Sequence, residues 1–198
     1  MKPLNEIYKP RFFKKRDSLS WRAPIICGPV IDILRPGSVI DVGCAIGDLV
    51  AEFLHSDLDA YGLEGTEHVI PWLKIPRERL FIEDLRTEFR LWRKFDLAMC
   101  FEVLEHIEPE YADMLLANLT GMSDRLLISA APPGQGGHYH VNCRPMTYWD
   151  EKFSDLGYRP DAGVVMGIKE RIAPWKHKPG VKAIYQNLAY FATERKDD

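Results

Sequence analysis

The chain is 198 residues long, 46% hydrophobic and 28% charged, with 26 Lys and Arg against 29 Asp and Glu for a formal charge of −3. These proportions exclude a disordered chain, and the length fits one domain of roughly 150 residues with appendages. The slightly acidic total argues against nucleic acid as a partner held by bulk charge, and no run approaches the roughly 20 apolar residues of a membrane span.

The first element is an arm. Residues 1–22 carry Lys2, Lys9, Arg11, Lys14, Lys15, Arg16 and Arg22 against only Glu6 and Asp17, which leaves −8 for the remaining residues 23–198. Such an arm reads either as a solvated, partly mobile extension or as a lid that closes over an anionic ligand. It lacks the apolar stretch of about 7 residues that a signal peptide requires. Cys27, Cys44, Cys100 and Cys143 form no CxxC pair, so free thiols in a reducing cytosol are expected, and with them a cytoplasmic location.

Beyond the arm, apolar runs alternate with helical stretches. Strands are predicted at Ser38–Gly43, Tyr61–Glu64, Arg79–Ile82, Phe95–Phe101 and Arg125–Ala130, with later ones near Val164–Ile168 and Ala183–Thr193. Helices are predicted at Asp48–His55, about Glu67–Leu73, Pro109–Leu119 with Pro in its first turn, and Pro145–Leu156 ended by Gly157. This alternation implies βαβ units in a largely parallel sheet with helices on both faces. Ligands of such sheets bind beyond the carboxyl ends of the strands, where strand order reverses.

The most specific local feature is Val39-Ile40-Asp41-Val42-Gly43-Cys44-Ala45-Ile46-Gly47-Asp48, a strand entering a small-residue turn and then a helix. Small residues at 43, 45 and 47 let a ligand approach the backbone. A dinucleotide fingerprint counted from Gly43 would need glycine where Asp48 stands, and that carboxylate repels a pyrophosphate. Asp41 instead suits a ligand with a positive group. The pattern resembles the first motif of class I S-adenosylmethionine-dependent methyltransferases, with Ala45 in place of the middle glycine, and the resemblance extends over residues 36–193. It implies a Rossmann-like, doubly wound, seven-stranded α/β sheet, mostly parallel with an antiparallel last strand, and S-adenosylmethionine as cofactor.

By the same resemblance Gly43, Cys44, Ala45 and Gly47 wrap the methionine part of the cofactor and Asp41 holds its amino group. Glu64, at the end of the second strand, binds the ribose hydroxyls. Asp84 accepts from the adenine amino group, with Glu83 as the competing assignment, while Leu85 packs on the ring. Phe101 closes the fourth strand near the cofactor. The segment Phe95-Asp96-Leu97-Ala98-Met99-Cys100-Phe101-Glu102-Val103-Leu104-Glu105-His106 is similar to the family's fourth motif.

If the chain is helical after Phe101, Glu102, Glu105 and His106 share one face. Two readings compete there. The cluster can orient an acceptor and remove its proton, or, with a later histidine, bind a divalent cation in an arrangement similar to small-RNA 2′-O-methyltransferases. The metal is the less favoured reading. The histidine comes from the loop after the fifth strand, where His138, His140 and Asn142 alternate, with His138 slightly preferred.

The expectation is a single domain over residues 23–198 with residues 1–22 as arm or lid. It is expected to transfer a methyl group to a small polar acceptor such as a sugar or metabolite, preferably at oxygen. Glu102, Glu105, His106, His138 and His140 are the catalytic candidates. A catalytically silent cofactor-binding module is the alternative from another class.

Overall fold

Residues 2–194 are described by a computed structural model of the chain. The chain opens with two short helices, α1 (Leu4–Ile7) and α2 (Pro10–Arg16), and a 3₁₀ segment, Asp17–Arg22. Helix α3 (Ala23–Leu34) follows, then β1 (Ser38–Val42), α4 (Asp48–His55), β2 (Asp59–Glu64), β3 (Leu80–Ile82) and β4 (Leu97–Phe101). The second half contains α5 (Ala112–Met122), β5 (Arg125–Ser129), α6 (Met146–Asp155), β6 (Tyr158–Pro160), α7 (Ala162–Ile172), α8 (Lys182–Asn187) and β7 (Leu188–Thr193).

All seven strands join one sheet in the order β3-β2-β1-β4-β5-β7-β6. Strands β1 to β5 are mutually parallel and β7 runs antiparallel to both of its neighbours. The sheet is therefore the Rossmann-like, doubly wound one that the motifs implied. Strand order reverses between β1 and β4, and Asp96 anchors that junction by accepting from the Gly37 and Ser38 amides at 2.8 Å each.

The central strands are apolar along nearly their whole length because both faces are covered. On one face, Ile26 of α3, Phe53 of α4, Ile168 of α7 and Ile184 of α8 pack against Val39 and Met99. On the other, Leu115 and Leu119 of α5 and Trp149 and Phe153 of α6 pack against Ile40, Ala98 and Ile128. Among the described residues, no helix is long and apolar enough to cross a membrane.

Several elements differ from expectation. Val164–Ile168 is not a strand but the middle of α7, whose first turn is capped by Asp161 accepting from the Gly163 and Val164 amides at 2.8 and 3.1 Å. That cap commits the segment to a helix, and Ile168 and Ile172, one helical turn apart, both face the core. The predicted Ala183–Thr193 strand begins only at Leu188, because α8 occupies its first half. The short β6 and the helices α1, α2 and α3 were unforeseen. Residues 67–72 and 104–106 form 3₁₀ turns, so Glu102 does not share a helix with Glu105 and His106.

Candidate functional site

A cavity of about 370 Å³ lies at the carboxyl ends of β1, β2, β4 and β5. Its floor comes from the loops after those strands, and its roof from the arm, through Leu4, Tyr8, Phe12, Arg16, Leu19 and Arg22. The arm is tied down by side chains of the body. His138 Nε2 donates to the Ile7 carbonyl at 2.9 Å, His68 Nδ1 to that of Tyr8 at 3.0 Å, and Arg86 Nη1 to that of Lys2 at 2.9 Å.

The turn after β1 forms one wall. Gly43, at φ 75°, donates its amide to the Leu63 carbonyl at 2.8 Å, and a Cβ there would stand 2.4 Å from Val103 Cγ2. The fourth-motif segment therefore packs on the first-motif turn through the absence of one side chain. Ala45, where the family pattern has glycine, also adopts a left-handed conformation at φ 48°. Its amide donates to Glu64 Oε2 at 3.0 Å. Cys44 is buried against Gly62, and burial, reinforced by Asp41, keeps its thiol protonated. Gly47 starts α4 behind the cavity wall rather than in it.

Two carboxylates on neighbouring strands face this wall. Asp41 is 4% exposed, and no hydrogen bond or ion pair restrains it among the described residues. Burial, with Asp48 adding to it and Arg22 opposing it, pushes its pKa up to about 8. Glu64 is pushed up to about 7 by burial, against the amides of Gly65 and Ala45, which bond its two oxygens at 2.8 and 3.0 Å. Each is held close to ionisation, ready to release its proton to solvent when a ligand brings a cation or hydroxyl donors against it.

Asp84 and Leu85, beyond β3, line the far end. Asp84 is gripped by Arg86 at 2.9 Å through Nε and 2.8 Å through Nη2, and Arg86 reaches on to Glu108 at 3.2 Å. Glu83 is outside the cavity wall. Asn118 Nδ2 fixes the loop by donating to the carbonyls of Leu85 and Thr87 at 3.1 and 2.9 Å.

The polar cluster lies across from these carboxylates. Phe101, Glu102, His106, His138 and His140 line the cavity, whereas Glu105 is fully buried behind it. Glu102 sits at φ 56°, a conformation that costs a non-glycine residue about 1–3 kcal/mol and tends to occur at functional sites. Gln135 Nε2 and Asn187 Nδ2 donate to its two oxygens at 2.8 and 3.3 Å, and Asn187 also reaches Gln135 Oε1 at 3.0 Å.

His106 Nδ1 lies 3.1 Å from the Tyr139 carbonyl, which can only accept, so Nδ1 carries the hydrogen and Nε2 is left as an acceptor. Burial and the neighbouring His140 lower its pKa to about 4, so the ring is neutral at neutral pH. His140 donates through Nδ1 to the Gln135 carbonyl at 3.0 Å and places Nε2 3.9 Å from Glu105 Oε1. Among the described residues neither Glu105 oxygen has a partner in good hydrogen-bond geometry, and burial together with Glu102 raises its pKa to about 8, opposed by the amides of Glu105 and Ala131. Ligand atoms of Glu105, His106 and His140 lie within 4.8 Å of one another.

The structure thus brings together all the sequence-derived site residues except Gly47 and Glu105, which stand just behind the wall. The alternation of His138, His140 and Asn142 is broken by Tyr139 at φ 57°, and Asn142 turns into the interior. Sequence reasoning missed Gln135, Asn187 and the individual arm residues. For the arm, the one available signal was its charge excess. For Gln135 and Asn187 no local pattern exists, because they meet only through the pairing of β5 with β7.

A family model described as a methyltransferase domain matches residues 19–126. The chain is 25% identical over 120 residues to the magnesium-protoporphyrin O-methyltransferase of Synechocystis, covering 57% of this chain and 52% of that protein. It therefore spans about half the length of that curated relative. The crystal structure of the Synechocystis PCC 6803 enzyme with bound SAM superposes with a TM-score of 0.55 at 22% identity, over 76% of this chain and 74% of that one. DesVI of Streptomyces venezuelae superposes with a TM-score of 0.69 at 14% identity, over 94% of this chain and 99% of that one. The sugar N-methyltransferase KedS8 from Streptoalloteichus gives 0.68 at 13% identity, over 93% and 92%. With more than half of its length matched by the family model, the chain belongs to the methyltransferase-domain family.

Proposed function

We propose that the cavity binds S-adenosylmethionine and that the chain transfers its methyl group to a small polar acceptor, preferably at a hydroxyl. The observation that carries this reading is the pair Asp41 and Glu64. On adjacent strand ends, both face one cavity, and among the described residues no cation forms a hydrogen bond or ion pair with either, Arg22 and Arg16 acting on them only from farther off. A ligand with an ammonium group and vicinal hydroxyls matches them, Asp41 taking the first and Glu64 accepting from the second. Family membership supports the same cofactor, as does the bound SAM of the similar Synechocystis structure.

When bound, the cofactor supplies a sulfonium-activated methyl group. The protein has to align an acceptor with it, exclude water and receive a proton. His106 lines the cavity with Nε2 unprotonated and receives the proton of an acceptor hydroxyl as the acceptor oxygen bonds to the methyl group. Glu102, braced by two amides, holds a second donor group of the acceptor. Tyr8, Phe12 and Leu4 close the cavity from above.

A methyl-transfer screen over sugars, phenols, small acids and short RNAs, read by mass, tests the reading. Product must require Asp41 and Glu64 and must fall at least about tenfold in His106→Ala, the lower range for loss of a positioned base. A folded chain that binds the cofactor but modifies nothing would instead be a silent binding module.

A second reading has its own observation, the buried and unpartnered Glu105 beside His106 and His140. One carboxylate and two imidazole nitrogens suit Mn, Fe or Zn better than Mg, and a cation there would satisfy Glu105. Transfer unchanged in the presence of chelator removes this reading, whereas activity restored by one of these metals supports it.

A further inference from the structure

Arg86 is 4% exposed and stands behind the far wall of the cavity, where a charged side chain is costly unless its donors are used. Those donors go to three separate segments. Nε reaches Asp84 Oδ1 at 2.9 Å and Nη2 reaches Oδ2 at 2.8 Å, whereas Nη1 turns away to the Lys2 carbonyl at 2.9 Å and to Glu108 Oε1 at 3.2 Å. Glu108 accepts in turn from the Tyr139 hydroxyl, in the loop after β5, at 3.0 Å. The guanidinium therefore cannot swing without giving up partners beside the arm and that loop at once.

This fork determines what Asp84 shows to the cavity. A carboxylate only accepts hydrogen bonds, at about four lone-pair sites. Oδ1 takes the Arg86 amide at 3.0 Å as well as Nε, and Oδ2 takes Nη2, with Nε shared at 3.2 Å. The backbone is fixed too, since the Thr87 amide and hydroxyl donate to the Asp84 carbonyl at 3.0 and 2.9 Å. Among the described residues one acceptor site, on Oδ2, is left for the cavity that Asp84 lines. A lysine in place of Arg86 would supply the charge but not the planar fork.

We infer that Arg86 is a positioning residue of this site. It sets the plane of Asp84 so that the cavity offers a single acceptor there, which admits a ligand edge bearing an N–H donor and rejects one bearing a carbonyl oxygen. The role presupposes the proposed cofactor, whose adenine carries such a donor, and calorimetry reads it as selectivity. S-adenosylhomocysteine and S-inosylhomocysteine, in which oxygen replaces the 6-amino group, are titrated into the wild-type chain, into Arg86→Lys, and into Arg86→Gln combined with Glu108→Gln. The double variant removes one charge of each sign together and serves where Arg86→Lys does not fold.

The wild-type chain is expected to prefer the adenosyl compound by at least about tenfold, because a carbonyl set against the carboxylate forfeits a hydrogen bond and brings two acceptors together. In the variants the preference should fall below about threefold. A preference retained while both compounds weaken equally overturns the inference, since Arg86 would then serve only the fold, and so does a wild-type chain that binds both compounds alike. A wild-type chain that binds neither overturns the cofactor reading itself, and the positioning role with it.

Discussion

Asp41, buried, and Glu64, half-buried, are carboxylates whose protons leave between about pH 7 and 8, close to the pH at which the ligand would bind. A cation placed against Asp41 and hydroxyls donating to Glu64 favour the charged forms, so cofactor binding at pH 7 is predicted to release protons. Titrations in buffers of different ionisation enthalpy measure this directly, and a heat independent of buffer would refute it. The glycine turn makes a second residue-scale prediction. Gly43→Ala forces a methyl into Val103 at a left-handed φ and should destabilise the chain by at least about 2 kcal/mol in denaturant unfolding. Ala45→Gly should change stability by less than about 1 kcal/mol, since relief of left-handed strain and added unfolded-state entropy nearly cancel. That Asp41, Glu64 and the turn meet at one cavity was legible in the sequence, because a strand entering a small-residue turn and a helix places them at neighbouring strand ends. The unpartnered state of Glu105 was not, since burial of a single side chain leaves no trace in local pattern.

Among the elements, the loop after β5 holds the arm down over the cavity through His138. His138 ranks slightly ahead of His140 from sequence as base or substrate donor; in the structure its Nε2 donates to the Ile7 carbonyl, and His140 and His106 lie beside Glu105. We therefore expect His68→Ala combined with His138→Ala to raise amide hydrogen exchange across residues 4–16 while β1, β4 and β5 stay protected. Unchanged exchange in the arm would show that its apolar contacts alone hold it. The arm's charge was visible in the sequence, but its docking depends on backbone carbonyls that any residue supplies. Helix α7 is a different failure. Val164, Val165 and Ile168 favour a strand by composition, and the Asp161 cap with Ile168 and Ile172 one turn apart was the signal that should have outweighed them.

For the whole molecule, the raised carboxylates make stability depend on pH with a definite sign. Asp41 and Glu64 ionise near the ordinary values of 3.8 and 4.5 when unfolded but hold their protons to about 8 and about 7 when folded. The folded state thus binds more protons in between, and stability falls as pH rises. At pH 6.5 the unfolded His106 is half protonated while the folded ring, depressed to about 4, is neutral, so His106 opposes this trend, but by less than one raised carboxylate, and Glu105, raised to about 8, adds to the trend. The cofactor-free chain should therefore have a lower Tm at pH 8 than at pH 6.5, with a smaller difference at saturating S-adenosylmethionine. The parallel sheet and its order of motifs were readable because apolar runs and turns recur along the chain, and they place Asp41, Glu64 and Glu102 on one edge.

Whether this edge is built for S-adenosylmethionine is tested most directly by an equilibrium titration of the folded chain with that compound. Saturable binding at one site is predicted, weakened at least about tenfold by Glu64→Ala, which removes an acceptor for two hydroxyl donors. A folded chain that gives no binding at millimolar ligand, or whose affinity is indifferent to Glu64→Ala, would contradict it.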